Sequence, residues 1–207
     1  SRPLGPTGMR PYFEDFEAPL VGGMVPQAYN VVEAAGGNIA VTDQDAESGG
    51  QSLRIVDAAG QVHSYNPHLY FIPAHTGATT RVSFDLKIEA DTYLVHEWRD
   101  GLQADYNTGP IFTIFESRIY VDGLDAISLP EHQWIHFEVA AGLGTDADGT
   151  WSLRVDGPIG NLVAASDLSV RDGAWEELFW LGFVSFATTA TEVALDNLVI
   201  VNSGFEQ

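Results

Sequence analysis

The chain has no cysteine. That excludes disulfides, thiol nucleophiles and thiolate metal sites together, although a secreted domain can do without disulfides, so the compartment stays open. Basic residues are scarce: 9 Lys+Arg stand against 29 Asp+Glu, the formal net charge is −20, and Lys87 is the only lysine. A surface of that sign repels phosphate backbones and anionic lipid heads, which argues against nucleic acid as a partner. No apolar run reaches the ~18–20 residues of a membrane helix, so membrane insertion is not expected. An apolar stripe at helical spacing is missing too. The nearest case, "AASDLSVRDGAWEEL", carries Gly173 and the β-branched Val170, which limit it to about one turn.

What the chain has is alternation. "TRVSFDLKI" sends Val82, Phe84, Leu86 and Ile88 one way and Ser83, Asp85 and Lys87 the other. "QWIHFEV" sets Ile135, Phe137 and Val139 against Trp134, His136 and Glu138, and "TWSLRV" sets Trp151, Leu153 and Val155 against Ser152 and Arg154. Further strand-like runs include "HLYFI", "YLVHEWR", "PIFTIF", "LFWLGFVSF" and "VALDNLVIV", separated at short intervals by turn chemistry such as "SGGQ", "VDG" and "DADG". Many short strands without a long helix predict an all-β fold, a two-sheet antiparallel β-sandwich of jelly-roll type. The apolar "LFWLGFVSF" is expected as a central strand covered on both faces.

A length of 207 residues suits one sandwich, placed at residues 12–202. The Pro/Gly-rich residues 1–11 are expected as a linker or trimmed segment. Residues 203–207 are expected as a tail or the start of a following module, because Gly204–Phe205–Glu206 echoes Asp15–Phe16–Glu17. A chain starting at Ser1 is read as one piece of a larger, multi-domain protein.

The stretch "YFEDFE" poses a specific question. Alternation puts Tyr12, Glu14 and Phe16 on one side and Phe13, Asp15 and Glu17 on the other. The acids are either solvated charges that protect a sheet edge or ligands for a cation. Elsewhere, "DADG" at Asp146–Gly149 has two acids before a glycine but lacks the rest of a calcium loop, so it reads as a hairpin.

The run "SRIYVDGLDAISLPEHQWIHFEVAAGLGTDADGTWSLRVDG" resembles the centre of laminin-G-like, concanavalin A-like jelly-roll domains. The pieces that carry the likeness are Val121–Asp122–Gly123, Trp134–Ile135–His136–Phe137, Asp148–Gly149 and Val155–Asp156–Gly157. "FEDFE", "ESGGQSLRI" and "ALDNLVIV" resemble the first, early and last strands of calcium-bearing carbohydrate-binding modules. The resemblance implies a structural calcium joining the two terminal strands through Glu17 and Asp196, with Asp15 as an additional ligand and carbonyls from a loop such as Glu47–Gly50. Six to eight oxygens of this kind are what calcium takes.

The same likeness raises catalysis. Retaining hydrolases of this fold resemble one another in a Glu-x-Asp-x-Glu strand, which this chain lacks. Lyases of the fold carry Arg/Glu/Arg, Gln-x-His and Tyr-Lys strands, whereas here Gln133 and His136 stand at another interval and Lys87 has no tyrosine beside it. No Gly-x-Ser-x-Gly elbow occurs, and the histidines form no HExxH pair. No catalytic residue is therefore assigned.

A saccharide surface needs aromatic faces for C–H groups and planar polar groups for hydroxyls. "VHSYNPHLY" supplies Tyr65, and "YLVHEWRDGLQADYN" supplies His96, Trp98 and Arg99. Arg118 and Tyr120 share a strand face, as do His96 and Trp98. Together with His136 these residues form the expected ligand-binding set. Each also has a structural alternative: Trp98 covers a core edge, His136 is a partly buried partner of Trp134, and Tyr65 belongs to a turn. The expected protein is a secreted, monomeric, non-catalytic module that binds a polysaccharide or oligosaccharide. The alternatives are a polysaccharide lyase or glycoside hydrolase on the same fold, or an adhesive spacer.

Overall fold

The computed structural model describes residues 8–33 and 36–205. Most of the expected linker at 1–11, and Glu206 and Gln207 of the expected tail, lie outside the described residues. In chain order the strands are β1 (Tyr12–Glu14), β2 (Tyr29–Val31), β3 (Asn38–Thr42), β4 (Ser52–Asp57) and β5 (His68–Phe71). There follow β6 (Ala78–Ile88), β7 (Tyr93–Arg99), β8 (Thr108–Phe115), β9 (Arg118–Tyr120) and β10 (Ile127–Ser128). The last are β11 (Trp134–Leu143), β12 (Thr150–Gly157), β13 (Gly160–Ser169), β14 (Trp180–Ser185) and β15 (Thr191–Asn202). Among the described residues there is no α-helix, only two single 3₁₀ turns.

The strands form two antiparallel sheets. The first has the order β13-β12-β11-β6-β15-β4-β3, and β1 pairs with β15 beyond the stretch that pairs with β4. The second has the order β10-β9-β8-β7-β14-β5-β2. Alternation decides which side chains meet between them. Phe84, Leu86, Phe137 and Leu195 point inward from the first sheet and meet Phe112, Leu181 and Phe183 from the second, all essentially without solvent exposure. The rings interlock, with Phe84 edge-on to Phe183 at 4.9 Å and stacked on Phe137 at 5.4 Å. Trp151 closes one flank of this core and donates from Nε1 to the Ser169 carbonyl at 3.0 Å.

β14, expected to be covered on both faces, is covered by a layer only on the inner one. Its outward residues Trp180 and Val184 are buried instead by side chains of neighbouring strands, in a small cluster with Val95, Tyr70 and Phe186. The strand reads as uniformly apolar because its outer face is the floor of a groove.

A bulge interrupts the β15–β6 ladder between Asp196 and Val199, with Asn197 in the left-handed region at φ 50°. Such a bulge turns side chains away from their regular alternation. Here it accompanies a fully buried Asp196 between Leu195 and Leu198.

Candidate functional site

Three registers of the second sheet build its outer face. One row runs Tyr29, Tyr70, Gly182, Glu97, Ile111 across β2, β5, β14, β7 and β8. The next runs Val31, His68, Val184, Val95, Thr113, Tyr120 and reaches β9. Trp180 opposite Arg99 begins a third. Together with two loops these rows enclose a groove of about 820 Å³.

Aromatic groups stack along it. Tyr29 lies on Tyr70 at 4.9 Å and Tyr70 on Trp180 at 5.4 Å, both near-parallel. The Arg99 guanidinium continues the stack, 4.0 Å from the Trp180 ring centre and 4.2 Å from that of Tyr106. Gly182 makes this possible: a Cβ there would lie 2.0 Å from the Trp180 ring, so only glycine lets the indole lie flat on the strand. Glu97, nearly buried, pairs with Arg99 and holds the guanidinium in place.

Both flanking loops are fastened by carboxylates. Glu33 accepts from the Val62 and His63 amides at 2.6 and 2.9 Å and from Asn66 Nδ2 at 2.6 Å, fixing the turn that presents Tyr65. The Asn66 hydrogen bond, first among these, holds the Glu33 carboxyl below the usual range. Asn66 Oδ1 in turn lies 2.9 Å from His68 Nδ1, which places the proton on Nδ1, while burial keeps His68 neutral by pushing its pKa down. Asp100 closes the other loop by accepting from Asn107 N and Nδ2, both at 2.7 Å, and this loop carries Tyr106.

The sequence-predicted residues divide between three places. Tyr65 and Arg99 line the groove. Tyr120 lines its shallower continuation, and Arg118 lies beside it on the same short strand, opposite Phe115. His96 and Trp98 do share a strand face, but it is the inner one: both are 0% exposed. Trp98 Nε1 donates to His96 Nε2 at 3.0 Å, and Phe84, Phe112 and Phe183 surround the imidazole. His136 is on the other sheet, with Nδ1 2.7 Å from Asp85 Oδ1, and cannot share a groove with Tyr120. Asp85, ahead of burial, raises its pKa. The sequence reading missed Trp180, hidden in an apolar run, and Glu97. One signal was available: in "YLVHEWR" the charges at 97 and 99 share a parity, and charges face solvent.

The acids at the chain ends meet on one loop. Asp196 Oδ2 accepts from the Glu47 and Ser48 amides at 2.8 and 3.2 Å, and Glu17 Oε1 accepts from Gly50 and Gln51, both at 2.8 Å. Gly49 permits the approach, since a Cβ there would sit 2.4 Å from Glu17 Oε1. Desolvation raises the pKa of Asp196 despite its amide partners. Asp15 is exposed, accepts only from the Glu17 amide at 3.2 Å, and stands apart. For calcium the donor chemistry is suitable: two carboxylates on one loop, loop carbonyls, and the buried Gln51 Oε1, which has no hydrogen-bond partner. Among the described residues no three His, Cys, Asp or Glu side chains converge as a metal shell, so the remaining ligands would have to be carbonyl oxygens.

No known family model matches the sequence, and no curated protein matches it. Solved structures do match along nearly the whole chain. An endo-β-1,4-glucuronan lyase from the fungus Trichoderma reesei superposes with a TM-score of 0.64 at 9% identity, over 94% of this chain and 96% of that one. The cellulose-induced protein Cip1 gives 0.60 at 15% identity, over 92% and 96%. The CBM22-1 xylan-binding domain of Paenibacillus barcinonensis Xyn10C gives 0.50 at 13% identity, over 92% of each chain. At these identities the likeness establishes architecture alone: the chain is a jelly-roll β-sandwich of concanavalin A-like fold.

Proposed function

We propose that this protein is a secreted carbohydrate-binding module that holds a polysaccharide in the groove on the outer face of the second sheet. The observation that carries this reading is the continuous stack of Tyr70, Trp180, Arg99 and Tyr106 along an open groove. Trp180, 5% exposed, is the floor that braces the stack, and flat apolar faces of sugar rings pack on the more exposed Tyr65, Tyr70 and Tyr106 above it, while the tyrosine hydroxyls and guanidinium donate to ring and hydroxyl oxygens. Lyases, Cip1 and a xylan-binding domain among the structural neighbours support a saccharide as ligand. In this reading the chain acts as a monomer linked to further domains. No helix among the described residues is long and apolar enough to cross a membrane.

The test is affinity electrophoresis and calorimetry against a panel of polysaccharides. Trp180→Ala should weaken binding by about 2 kcal/mol, roughly 30-fold. Because Trp180 also packs on Val95 and Val184, Tyr106→Ala on the loop serves as a second variant whose melting temperature should stay near wild type. If the panel binds and neither change alters affinity, the groove is not the site.

A second reading, a polysaccharide lyase, has its own observation: Arg171, His68 and Tyr65 share one groove, which combines a carboxylate-binding cation with groups that move protons. Turnover would appear as ultraviolet absorbance of an unsaturated uronate. A retaining glycosidase is less well supported, because its two carboxyls stand about 5–5.5 Å apart and among the described residues Glu97 is the only carboxylate lining the main groove.

The clip at Glu17 and Asp196 is where we place the structural calcium, with Gln51 Oε1 as a further oxygen donor. Calcium at a hundredfold excess over its Kd should stabilise the fold by about 2.7 kcal/mol, read as a higher melting temperature that chelator reverses. A melting temperature unmoved by either would mean that the amide hydrogen bonds fasten the loop without an ion.

A further inference from the structure

The charge and donor inventory of the groove runs against that of the whole molecule. The protein carries 29 acids and 9 bases, yet among the described residues Glu97 is the only acid lining the main groove, while Arg99 and Arg171 both line it. Glu97 is committed to Arg99. Arg171 is exposed and has no carboxylate within salt-bridge distance among the described residues. It also lines the shallower continuation toward Tyr120, so it stands where the two parts of the groove join. Its position is fixed by the backbone: its amide donates to the Gly109 carbonyl at 3.2 Å, and the next residue, Asp172, accepts from the Thr108 amide at 2.7 Å.

Acceptors are missing in the same place. A site for neutral sugars offers carboxylates and side-chain amides to the ligand's hydroxyl protons. Among the described residues no Asp, Asn or Gln lines the main groove, and Asp122 lines only its continuation. The tyrosine and threonine hydroxyls remain, together with His68 Nε2, which is left as an acceptor because the proton is on Nδ1. A groove rich in donors and holding one uncompensated cation is complementary to a ligand that brings its own anionic acceptors. Guanidinium and carboxylate match in shape as well as in charge.

We propose that the groove selects an acidic glycan, a chain bearing uronate carboxylates, and that Arg171 is the residue that reads the carboxylate. This rests on the reading of the groove as a saccharide site and adds the class of saccharide. Arg99, held between two rings and paired with Glu97, acts as part of the stacking surface, with its charge largely compensated locally.

The test uses calorimetry with a matched pair of probes: polyuronate oligosaccharides and the same oligosaccharides with carboxyls reduced to hydroxymethyl groups. The expected result is about 10–100-fold tighter binding of the uronate, the scale of a charge-assisted hydrogen-bond pair. Arg171→Gln should bring the ratio between the two probes close to one, and Arg171→Lys should restore part of it. Arg171 is exposed, so neither variant should lower the melting temperature. Equal binding of the two probes, or a ratio unchanged by Arg171→Gln, overturns the proposal and leaves the saccharide groove standing. Binding of dextran sulfate without binding of polyuronate overturns the carboxylate. Failure of uronate, reduced and neutral xylan- or cellulose-derived oligosaccharides alike overturns the saccharide site itself.

Discussion

Trp98→Ala is expected to destabilise the fold by about 3–5 kcal/mol, the range for removing a large aromatic from a packed core. Trp98 is 0% exposed, and its indole is tilted against Trp175 at 6.2 Å. Trp175 in turn lies so close to Gly109 that a Cβ there would be 2.3 Å from its ring, leaving little slack for the site to collapse. The substitution also strips His96 Nε2 of its donor, adding a buried unsatisfied acceptor. A lower urea midpoint with an unchanged slope would register the loss. The alternative role, a platform for sugar rings, makes the opposite forecast: weaker binding with stability within about 1 kcal/mol of wild type. That outcome would mean that β7 faces the other way.

The second large effect is loss of stability in acid, centred on the same pair. Burial pushes the pKa of His96 down to about 3. A folded-state value below the unfolded one means that the unfolded chain takes up the proton first. Stability is therefore flat above about pH 6.5 and falls as pH drops from there toward 3, by about 1.4 kcal/mol per unit and roughly 4–5 kcal/mol in all. His75 and His68, lowered chiefly by burial, act in the same direction. His136 acts oppositely: raised by Asp85, it contributes below about pH 6.5, and that contribution fades as pH rises through its folded value. Asp57 and Asp196, raised by desolvation, offset part of the acid loss at the bottom of the range. Urea midpoints across the acid range should show the decline in wild type. The His96→Phe/Trp98→Phe double variant, which removes donor and acceptor together, should flatten it. An unchanged slope in that variant would assign the acid sensitivity to other groups.

These two residues also mark the limit of what the sequence makes legible. Alternation located the strands and the inward sets in β6, β11 and β12, because in each of them one parity is plainly apolar. β7 is different. Leu94, His96 and Trp98 mix with Val95, Glu97 and Arg99, and five of its seven residues are buried, so hydrophobicity alone does not choose a face. The indole N–H finds its acceptor in the His96 imidazole inside the core, where His96 Nδ1 is left without a partner, whereas a glutamate–arginine pair stays outside. Trp180 is hidden for a related reason: it stacks on Tyr70 and Arg99, which in turn carry Tyr29 and Tyr106, and only strand order brings these distant segments together. Arg171 lies in a stretch without periodicity and is placed by hydrogen bonds to β8. Glu17 and Asp196 were singled out through family likeness, and they do meet on one loop. Asp15, two residues from Glu17 and of the same charge, does not join them: its carboxylate turns back to accept from the Glu17 amide.

The pairing of β1 with β15 has a mechanical corollary. Tyr12 lies opposite Ile200, so the strand that opens the sandwich and the strand that closes it run side by side in opposite directions. Tension applied through both ends would load that ladder one rung at a time, like a zipper, and not in shear across all rungs together. The peeling front would first have to free Met9 from Pro73 and His75, then travel along β1 to the buried Phe16 and the grip of Glu17 on Gly50 and Gln51, which fasten the chain just past the ladder.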